Sequence, residues 1–196
     1  MITTTIKGVD LQFETSQGLF SPRNVDKGTL AMLSVIDFQK EDRILDLGCG
    51  YGAVGIVAAK SGVRNVVMVD NDDSAVEMSK ANAGLNKLTD MEIFQSDGYS
   101  NVKQSNFTKI ISHPPYHADF SVPKMFIEKG FNRLSTDGCL YMVTKRKDWY
   151  KNKLVSIFGG VKIWEIDDYF VFMSIKRRGS FSNAKKGGRM RHDSGT

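Results

Sequence analysis

The residues best suited to chemistry lie in two short segments. The first is a glycine loop, Asp46-Leu47-Gly48-Cys49-Gly50-Tyr51-Gly52, and the second is Ile110-Ile111-Ser112-His113-Pro114-Pro115-Tyr116-His117. Glycines let the backbone turn tightly and approach a ligand closely. A helix that begins after such a loop offers unpaired N–H groups. The second segment combines a ring nitrogen, rigid prolines and an aromatic ring, which suits a planar substrate that carries an amine.

Two carboxylates indicate which ligand the glycine loop holds. Asp46 opens the loop, and Asp70 ends the next predicted strand. A carboxylate at Asp70 can accept hydrogen bonds from both hydroxyls of a ribose. Asp46 would repel a pyrophosphate but suits a ligand with an ammonium group. An adenosine ligand with an amino-acid tail and no phosphates meets both conditions, so the pattern favours S-adenosylmethionine.

Two alternatives for the loop stay open. Gly48-x-Gly50-x-x-Ala53 also fits the dinucleotide fingerprint of nicotinamide enzymes, and a glycine-rich turn that binds nothing is the other reading. The succession of strand, loop and helix, together with Asp70, favours a cofactor site. Asp97 follows the third strand and is expected at the same crevice, where it would accept from the adenine amine. By itself, Asp97-Gly98 is an ordinary turn.

The His-Pro-Pro-Tyr segment is predicted to receive a substrate amine. Two prolines stop the hydrogen-bond ladder of the preceding strand and leave backbone carbonyls with no neighbouring N–H. A planar amine would donate to such a carbonyl and to His113 while its ring stacks on Tyr116. The alternative is a rigid loop that only leads the chain out of the sheet.

Alternating strands and helices position both segments. The periodicity of apolar residues predicts strands at 43–47, 65–69, 91–94, 109–111 and 139–143, and helices at 53–60, 74–85, 122–134 and 149–158. Such alternation forms right-handed βαβ units and a mostly parallel sheet. Two last strands, 161–166 and 169–175, flank an acidic turn as a hairpin. The predicted fold is α/β: a doubly wound, mostly parallel, Rossmann-like sheet with a C-terminal antiparallel hairpin strand.

Residues 1–40 are predicted to form strands and a cap helix that pack on the same domain. The start of the chain alternates apolar and polar residues, as a half-buried strand does. Asp26 can cap a helix that carries Leu30, Leu33 and Ile36 on one face.

Charge is distributed unevenly along the chain. The 196 residues carry a formal net charge of +5, and residues 176–196 hold seven Lys or Arg against one acidic residue. After the predicted core of residues 41–176, residues 177–196 lose periodicity and are rich in Gly and Ser, which predicts a basic, flexible tail. Such tails bind polyanions. A solvated terminus without a partner is the alternative.

The composition excludes several classes of protein. Apolar residues make up 41% and charged residues 25%, which is typical of a globular protein and excludes wholesale disorder. The sequence contains no run of about 18 apolar residues, so no membrane span is predicted. Residues 1–7 do not resemble a secretory signal. Cys49 and Cys139 give neither a disulfide framework nor the spacing of a metal site. We therefore expect a cytoplasmic protein without a metal.

The two segments together resemble a known family. Asp-Leu-Gly-Cys-Gly-Tyr-Gly at 46–52 followed by Pro-Pro-Tyr at 114–116 is typical of class I S-adenosylmethionine-dependent methyltransferases that modify exocyclic or amide nitrogens. With Gly18-Leu19-Phe20-Ser21 and Asp26-Lys27-Gly28-Thr29, the pattern resembles the methyltransferase small domain. That family includes bacterial 16S ribosomal RNA guanine-N2 methyltransferases and single-domain relatives. The resemblance covers residues 5–175.

The resemblance implies an N-methyltransferase that forms N2-methylguanosine in RNA, with small-subunit ribosomal RNA or a ribosomal particle as its partner. Adenine N6 or protein glutamine N5 methylation, and a non-catalytic RNA-binding module of the same fold, are the alternatives. The implied contacts of S-adenosylmethionine are Phe20, Thr29, Asp46, Gly48, Cys49, Gly50, Gly52, Asp70, Asn71, Asp97, Gly98 and His113. The residues implied to receive the target amine are His113, Pro114, Pro115 and Tyr116.

One position departs from the family, which usually has Asn or Asp where this chain has His113. Neutral His113 has one ring nitrogen that can accept an amine proton, and protonated His113 has none. We therefore expect methyl transfer to depend on neutral His113.

Overall fold

The structure, a computed structural model, describes residues 1–15, 24–114 and 119–178. An antiparallel hairpin opens the chain, with β1 at Ile2–Ile6 and β2 at Val9–Phe13. The strands that follow are β3 (Arg43–Leu47), β4 (Asn65–Asp70), β5 (Glu92–Gln95), β6 (Phe107–Ser112), β7 (Leu134–Thr144), β8 (Lys162–Ile166) and β9 (Tyr169–Ile175). The helices are α1 (Lys27–Val35), α2 (Ala53–Lys60), α3 (Asp73–Leu85), α4 (Ser121–Arg133) and α5 (Asp148–Phe158).

Seven of the described strands form one twisted sheet in the order β5-β4-β3-β6-β7-β9-β8. Neighbours from β5 through to β7 run parallel, whereas β9 is antiparallel to both β7 and β8. This arrangement confirms the predicted doubly wound sheet and its C-terminal antiparallel strand. The strand order reverses between β3 and β6, and such a switch point opens a crevice at the carboxyl ends of the strands.

The central strand β3 shows why the sheet is covered on both faces. Ile44 belongs to one apolar cluster, and Leu45 and Leu47 belong to the other. All three side chains are fully buried. A strand that buries both faces has an almost continuous apolar sequence, so the glycine loop leaves β3 from a rigid support.

The N-terminal hairpin is joined to α3 by two buried asparagines. Asn86 accepts a hydrogen bond from Gln12 N at 3.1 Å and donates to Gln12 O at 2.7 Å. Asn82 accepts from Glu14 N at 2.7 Å and donates to Glu14 O at 3.0 Å and to Tyr51 O at 2.9 Å. The two amides therefore satisfy backbone groups of β2 and its extension, and Asn82 also holds the glycine loop.

Asp26 caps α1 as predicted, since its carboxylate accepts from Thr29 N at 3.0 Å. The predicted apolar face of this helix is wrong at Leu30, which is 38% exposed. The buried face instead centres on Gly28, Thr29 and Met32, because the first turn packs against β9 and the end of β6.

No helix in the described ranges has the length and apolar character that a bilayer span requires. The predicted tail, residues 177–196, lies outside the described residues beyond position 178.

Candidate active site

A cavity of about 410 Å³ opens at the carboxyl ends of β3, β4 and β6, where the strand order reverses. Its volume lies in the range of pockets that hold small organic ligands, about 300–1,000 Å³. Most of the predicted cofactor residues line it: Thr29, Asp46, Gly48, Cys49, Gly50, Asp70, Asn71, Asp97, Gly98 and His113. Pro114, predicted to receive the amine, also lines it. The sequence-predicted residues from both segments therefore meet at one place.

Gly48 and Gly50 leave room for a ligand in the glycine loop. Their φ angles are 76° and 56°, in the left-handed region that side chains disfavour. A Cβ added at either residue would meet no atom within 4 Å. Gly48 N and Cys49 N donate to Val69 O at 2.9 and 3.0 Å, so β4 fixes the loop. The backbone is thus held open beside the cavity.

Gly52 has a different task, since it is not among the residues that line the cavity. Its φ is 95°, and a Cβ there would lie 2.8 Å from Met68 Cε and 3.0 Å from Ile56 Cδ1. The position requires glycine for the turn into α2 and for the close packing of α2 on β4.

Asp46 is a buried carboxylate at the base of the cavity, only 2% exposed. Its Oδ2 accepts from Gly55 N at 2.9 Å, which ties the first turn of α2 to β3. Burial, together with the negative charge of Asp70, raises the pKa of Asp46 to about 7. A positively charged group bound nearby would favour the ionised carboxylate.

Asp70 retains capacity to bind hydroxyl groups. Its Oδ2 accepts from Gly50 N at 2.9 Å, and its Oδ1 accepts from Asp72 N at 3.1 Å. An ionised carboxylate has about four lone-pair sites, so each oxygen can accept one more hydrogen bond. These donors also fix the orientation of the carboxylate at the rim of the cavity.

Cys49 is a structural thiol, although it lines the cavity. Its Sγ lies 3.5 Å from Ser79 Oγ, which donates to Gly50 O at 2.7 Å. Burial and the charge of Asp46 raise the pKa of the Cys49 thiol. The neutral thiol is a poor nucleophile, so its part is to pack beneath the loop.

His113 forms a pair with Asp26 beside the cavity. Its Nδ1 lies 3.2 Å from Asp26 Oδ1 and 3.2 Å from Thr29 Oγ1. A lone pair on Nδ1 would face the negative carboxylate, so the proton of the neutral ring belongs on Nδ1. The other nitrogen, Nε2, then carries the acceptor lone pair. Burial lowers the pKa of His113 and the Asp26 charge acts in the opposite direction, so the ring is neutral at pH 7.

Residues 10–174 match the family described as the methyltransferase small domain. The chain belongs to this family. The match confirms the prediction of a class I S-adenosylmethionine-dependent methyltransferase, and the cavity described above fits that cofactor. Gly48 and Gly50 offer open backbone, Asp70 offers free lone pairs, and Asp46 offers a carboxylate for an ammonium group.

Three comparisons show how far the likeness extends. YbxB of Bacillus subtilis is 34% identical over 81% of this chain and 82% of its own length. Ribosomal RNA large subunit methyltransferase G of Yersinia enterocolitica is 28% identical over 87% of this chain and 44% of its own. The structure of the T. thermophilus 16S rRNA N2 G1207 methyltransferase (RsmC), with AdoMet and guanosine, superimposes with a TM-score of 0.83 at 26% identity and covers 90% of this chain. This chain spans about half the length of that structure and less than half of the Yersinia enzyme.

Three predicted site residues, Phe20, Pro115 and Tyr116, lie outside the described residues of this methyltransferase. Their assignments remain predictions.

The structure adds residues to the cavity that the sequence reasoning missed. Asp26 is predicted to cap a helix and belongs to the Asp26-Lys27-Gly28-Thr29 segment of the family resemblance, but neither observation signals its second contact with His113. Val122 and Phe126 of α4 also line the cavity. The sequence predicts a helix at 122–134 that contains both residues. Its periodicity gives no sign of a ligand contact, because apolar residues at helical spacing look the same whether they face a sheet or a ligand.

Proposed function

We propose that this methyltransferase transfers a methyl group from S-adenosylmethionine to the exocyclic N2 amine of guanine in ribosomal RNA. The observation that carries the proposal is the His113–Asp26 pair at the end of β6, beside the cavity that fits the cofactor. The T. thermophilus relative, named as a 16S rRNA N2 methyltransferase and solved with AdoMet and guanosine, supports guanine as the target. Small-subunit ribosomal RNA is accordingly the proposed substrate.

Bound S-adenosylmethionine supplies an electrophilic methyl group whose departure leaves a neutral thioether. The protein must then hold the amine in line with that methyl. The lone pair of an aryl amine is delocalised into the ring, which makes the nitrogen a weak nucleophile. A hydrogen bond from the amine N–H to Nε2 of His113 favours a pyramidal nitrogen and restores its nucleophilicity. Asp26 holds the Nδ1 proton, so Nε2 is kept as the acceptor.

The same pair also accounts for the proton that the reaction releases. When the amine nitrogen gains a methyl group it becomes positively charged, and one of its protons must leave. Nε2 of His113 can take that proton, and the Asp26 carboxylate stabilises the resulting imidazolium. Deprotonation by bulk water restores the neutral ring.

The decisive experiment identifies the methylated nucleoside. The purified chain and methyl-labelled S-adenosylmethionine are incubated in three separate reactions with small subunits, large subunits or free ribosomal protein. The products are then digested for mass spectrometry. We expect N2-methylguanosine in small-subunit RNA. N6-methyladenosine or methylated glutamine would overturn the guanine assignment. Tight cofactor binding in calorimetry with no methylation of any substrate would favour the non-catalytic module.

A further inference from the structure

Cations and aromatic rings form an exposed surface beside the cavity, on residues that the methyl-transfer site does not use. The chain leaves β7 as Lys145-Arg146-Lys147, and all three residues are exposed. Phe120 immediately precedes α4, and Trp149 lies in the first turn of α5. We call Phe120, Lys145, Arg146 and Trp149 the cation–aromatic patch.

The rings and cations of the patch contact each other. Phe120 and Trp149 are stacked, with centroids 4.3 Å apart and planes at 18°. The guanidinium carbon of Arg146 lies 5.1 Å from the centroid of Phe120. Nζ of Lys145 lies 4.9 Å from the centroid of Tyr169. These contacts hold flexible side chains in place, which reduces the entropy lost when a partner binds.

The exposure of Phe120 is not explained by the fold. Phe120 is 36% exposed and is the only aromatic residue among the exposed large apolar side chains of the described ranges. The other four are single aliphatic residues at separate sites, which are ordinary on protein surfaces. A stacked ring exposed beside two cations is the composition of an interaction site.

The charges of the patch are largely uncompensated. Lys147 has a partner, since its Nζ lies 3.8 Å from Glu165. Within the described ranges, no carboxylate comes within 4.0 Å of Lys145 or Arg146. Two exposed carboxylates border the patch in sequence: Asp119 accepts from Ser121 N at the start of α4, and Asp148 lies in the first turn of α5. Both therefore face helix N-termini, where backbone N–H groups neutralise part of their charge.

The patch lies at the same edge of the sheet as the proposed amine site. β6 and β7 are parallel neighbours, with Ser112 opposite Met142, so the residues that follow both strands emerge together. The ring of Tyr169 links them, because its centroid lies 6.1 Å from the ring of His113 and 4.9 Å from Nζ of Lys145. Val122, two residues after Phe120, lines the cavity.

We propose that the cation–aromatic patch binds the RNA strand next to the target guanine. An unpaired base stacks on the face of Phe120 away from Trp149, in place of the Arg146 guanidinium, and Arg146 and Lys145 hold the phosphates. The inference rests on the proposed function. An enzyme that acts on a base amine draws the nucleotide out of its stack, so a neighbouring base loses a partner that an aromatic side chain can replace. An acidic protein segment would use the cations but would leave the exposed ring without a function.

The test uses the full chain and measures the contribution of base stacking separately from the contribution of charge. The probe is a fluorescent, mixed-sequence RNA hairpin with an unpaired loop, and its Kd is measured by anisotropy over a series of salt concentrations. Phe120→Ala should weaken binding roughly fivefold or more without changing the salt slope. Lys145→Gln and Arg146→Gln should each reduce the slope of log K against log salt by about 0.7.

Two further variants serve as controls. Lys162→Gln removes an exposed lysine that also lies over an aromatic ring, 4.5 Å from the centroid of Trp164, but at the start of β8 rather than at the carboxyl edge. This variant should bind RNA like the wild type. Phe120→Tyr keeps a stacking face and should restore affinity, whereas Phe120→Leu keeps apolar volume against Trp149 and should not. Thermal melting of every variant separates lost binding from lost folding.

The outcomes distinguish this proposal from the proposed function. If Phe120→Leu and Arg146→Gln bind RNA with the affinity and salt slope of the wild type, while the wild type methylates RNA, the patch is not an RNA contact. The proposed function would then still stand. If polyglutamate displaces the fluorescent RNA as well as unlabelled RNA does, and Phe120→Leu has no effect, the patch binds an acidic protein partner instead of RNA. If the wild type binds S-adenosylmethionine but neither binds nor methylates RNA, both proposals fail together.

Discussion

His113 converts the proposed amine acceptor into a group that titrates, and this has a kinetic consequence. Burial lowers the pKa of His113 below its usual 6.5, against the opposing effect of Asp26. The ring is therefore neutral at pH 7 and loses its acceptor only in more acidic solution. We expect the single-turnover rate of methylation to fall as pH drops through this lowered pKa. Among the described residues, the groups that face the ring include Asp26 and Thr29 near the start of α1 and Tyr169 on β9.

Variants of His113 and Asp26 distinguish the contributions of the two residues. His113→Asn keeps an acceptor that cannot titrate, so it should retain substantial activity and lose the fall in acid. His113→Ala should lose roughly 2–4 kcal/mol of transition-state stabilisation while still binding cofactor. Asp26→Asn removes the charge that favours the protonated ring, so the fall should move to lower pH. An unchanged rate in His113→Ala would reduce His113 to a spacer.

Asp46 should link cofactor binding to the release of a proton. Its pKa is raised to about 7, so the free protein carries part of its Asp46 in the neutral form near neutral pH. If the ammonium group of the cofactor lies beside it, the ionised form is favoured, and binding at pH 6.5 must expel a proton. Affinity should therefore decrease as pH falls below about 7.

Calorimetry in two buffers of different ionisation enthalpy measures this proton directly. Asp46→Asn is the matched control, because its amide oxygen can still accept from Gly55 N while its charge does not change with pH. The variant should bind more weakly and release no proton. Wild-type binding without proton release would place the ammonium group away from Asp46.

The first turn of α1 packs closely against His113 and Tyr169. A Cβ at Gly28 would lie 2.6 Å from Tyr169 Cε1 and 2.9 Å from His113 Cε1. Gly28→Ala should thus push apart α1, β9 and the His113 ring, at a cost of about 1–3 kcal/mol in the free energy of unfolding. The methylation rate should fall as well, since the contact between His113 and Asp26 depends on this spacing.

Gly84→Ala on α3 is the control for this change. Gly84 is exposed, and a Cβ there meets nothing within 4 Å. Alanine in such a helical position should stabilise the protein by about 0.5–1 kcal/mol. Urea unfolding of both variants measures the sign of each change in the free energy of unfolding. If Gly28→Ala were as stable as Gly84→Ala, α1 would accommodate the added Cβ without strain.

The elements differ in how much of them the sequence could predict. The bounds of β3 and α2 agree with prediction because an apolar run and a glycine loop mark them locally. β7 begins at Leu134 rather than 139, since its first residues pair with Phe107 across a shift in register. The bonds of Asn82 with Glu14 and of Asn86 with Gln12 join residues 68 and 74 positions apart, and no local pattern reveals such contacts.

The residues of the site also differ in how far the sequence could predict them. Asp70 was predictable because the carboxyl end of a parallel strand must lie at the crevice. The contact of His113 with Asp26 was not, because they lie 87 positions apart and Asp26 has a sufficient role as a cap. The cation–aromatic patch joins residues that precede α4 with residues that follow β7, so only the fold brings it together.

In the proposed function, the sheet as a whole would separate the two substrates. β3, β4 and β5 present the glycine loop, Asp70 and Asp97 on one side of the switch point. His113 and the patch follow or lie beside β6 and β7 on the other side, so we expect the methyl donor and the RNA to approach the cavity from different strands. A change in RNA binding should therefore leave cofactor affinity intact.

The basic C-terminal segment offers the last test of this separation. Lys176 belongs to the fold, since its Nζ donates to Leu134 O at 2.7 Å and lies 5.3 Å from the ring of Phe131. Truncation is therefore best made after residue 178, which removes residues 179–196 with their four Lys or Arg. If these cations contact phosphates, the slope of log K for RNA against log salt should decrease by up to about 3.

A full-length variant with Gln at 185, 186, 189 and 191 controls for the loss of chain length. It should match the truncation in RNA affinity, and both should bind S-adenosylmethionine like the wild type. Combined with Arg146→Gln, the truncation should reduce the salt slope by the sum of the two separate effects, because the patch and the tail would contact different phosphates. An unchanged slope in the truncated protein would make the tail a solvated terminus and leave the patch as the RNA contact to be tested.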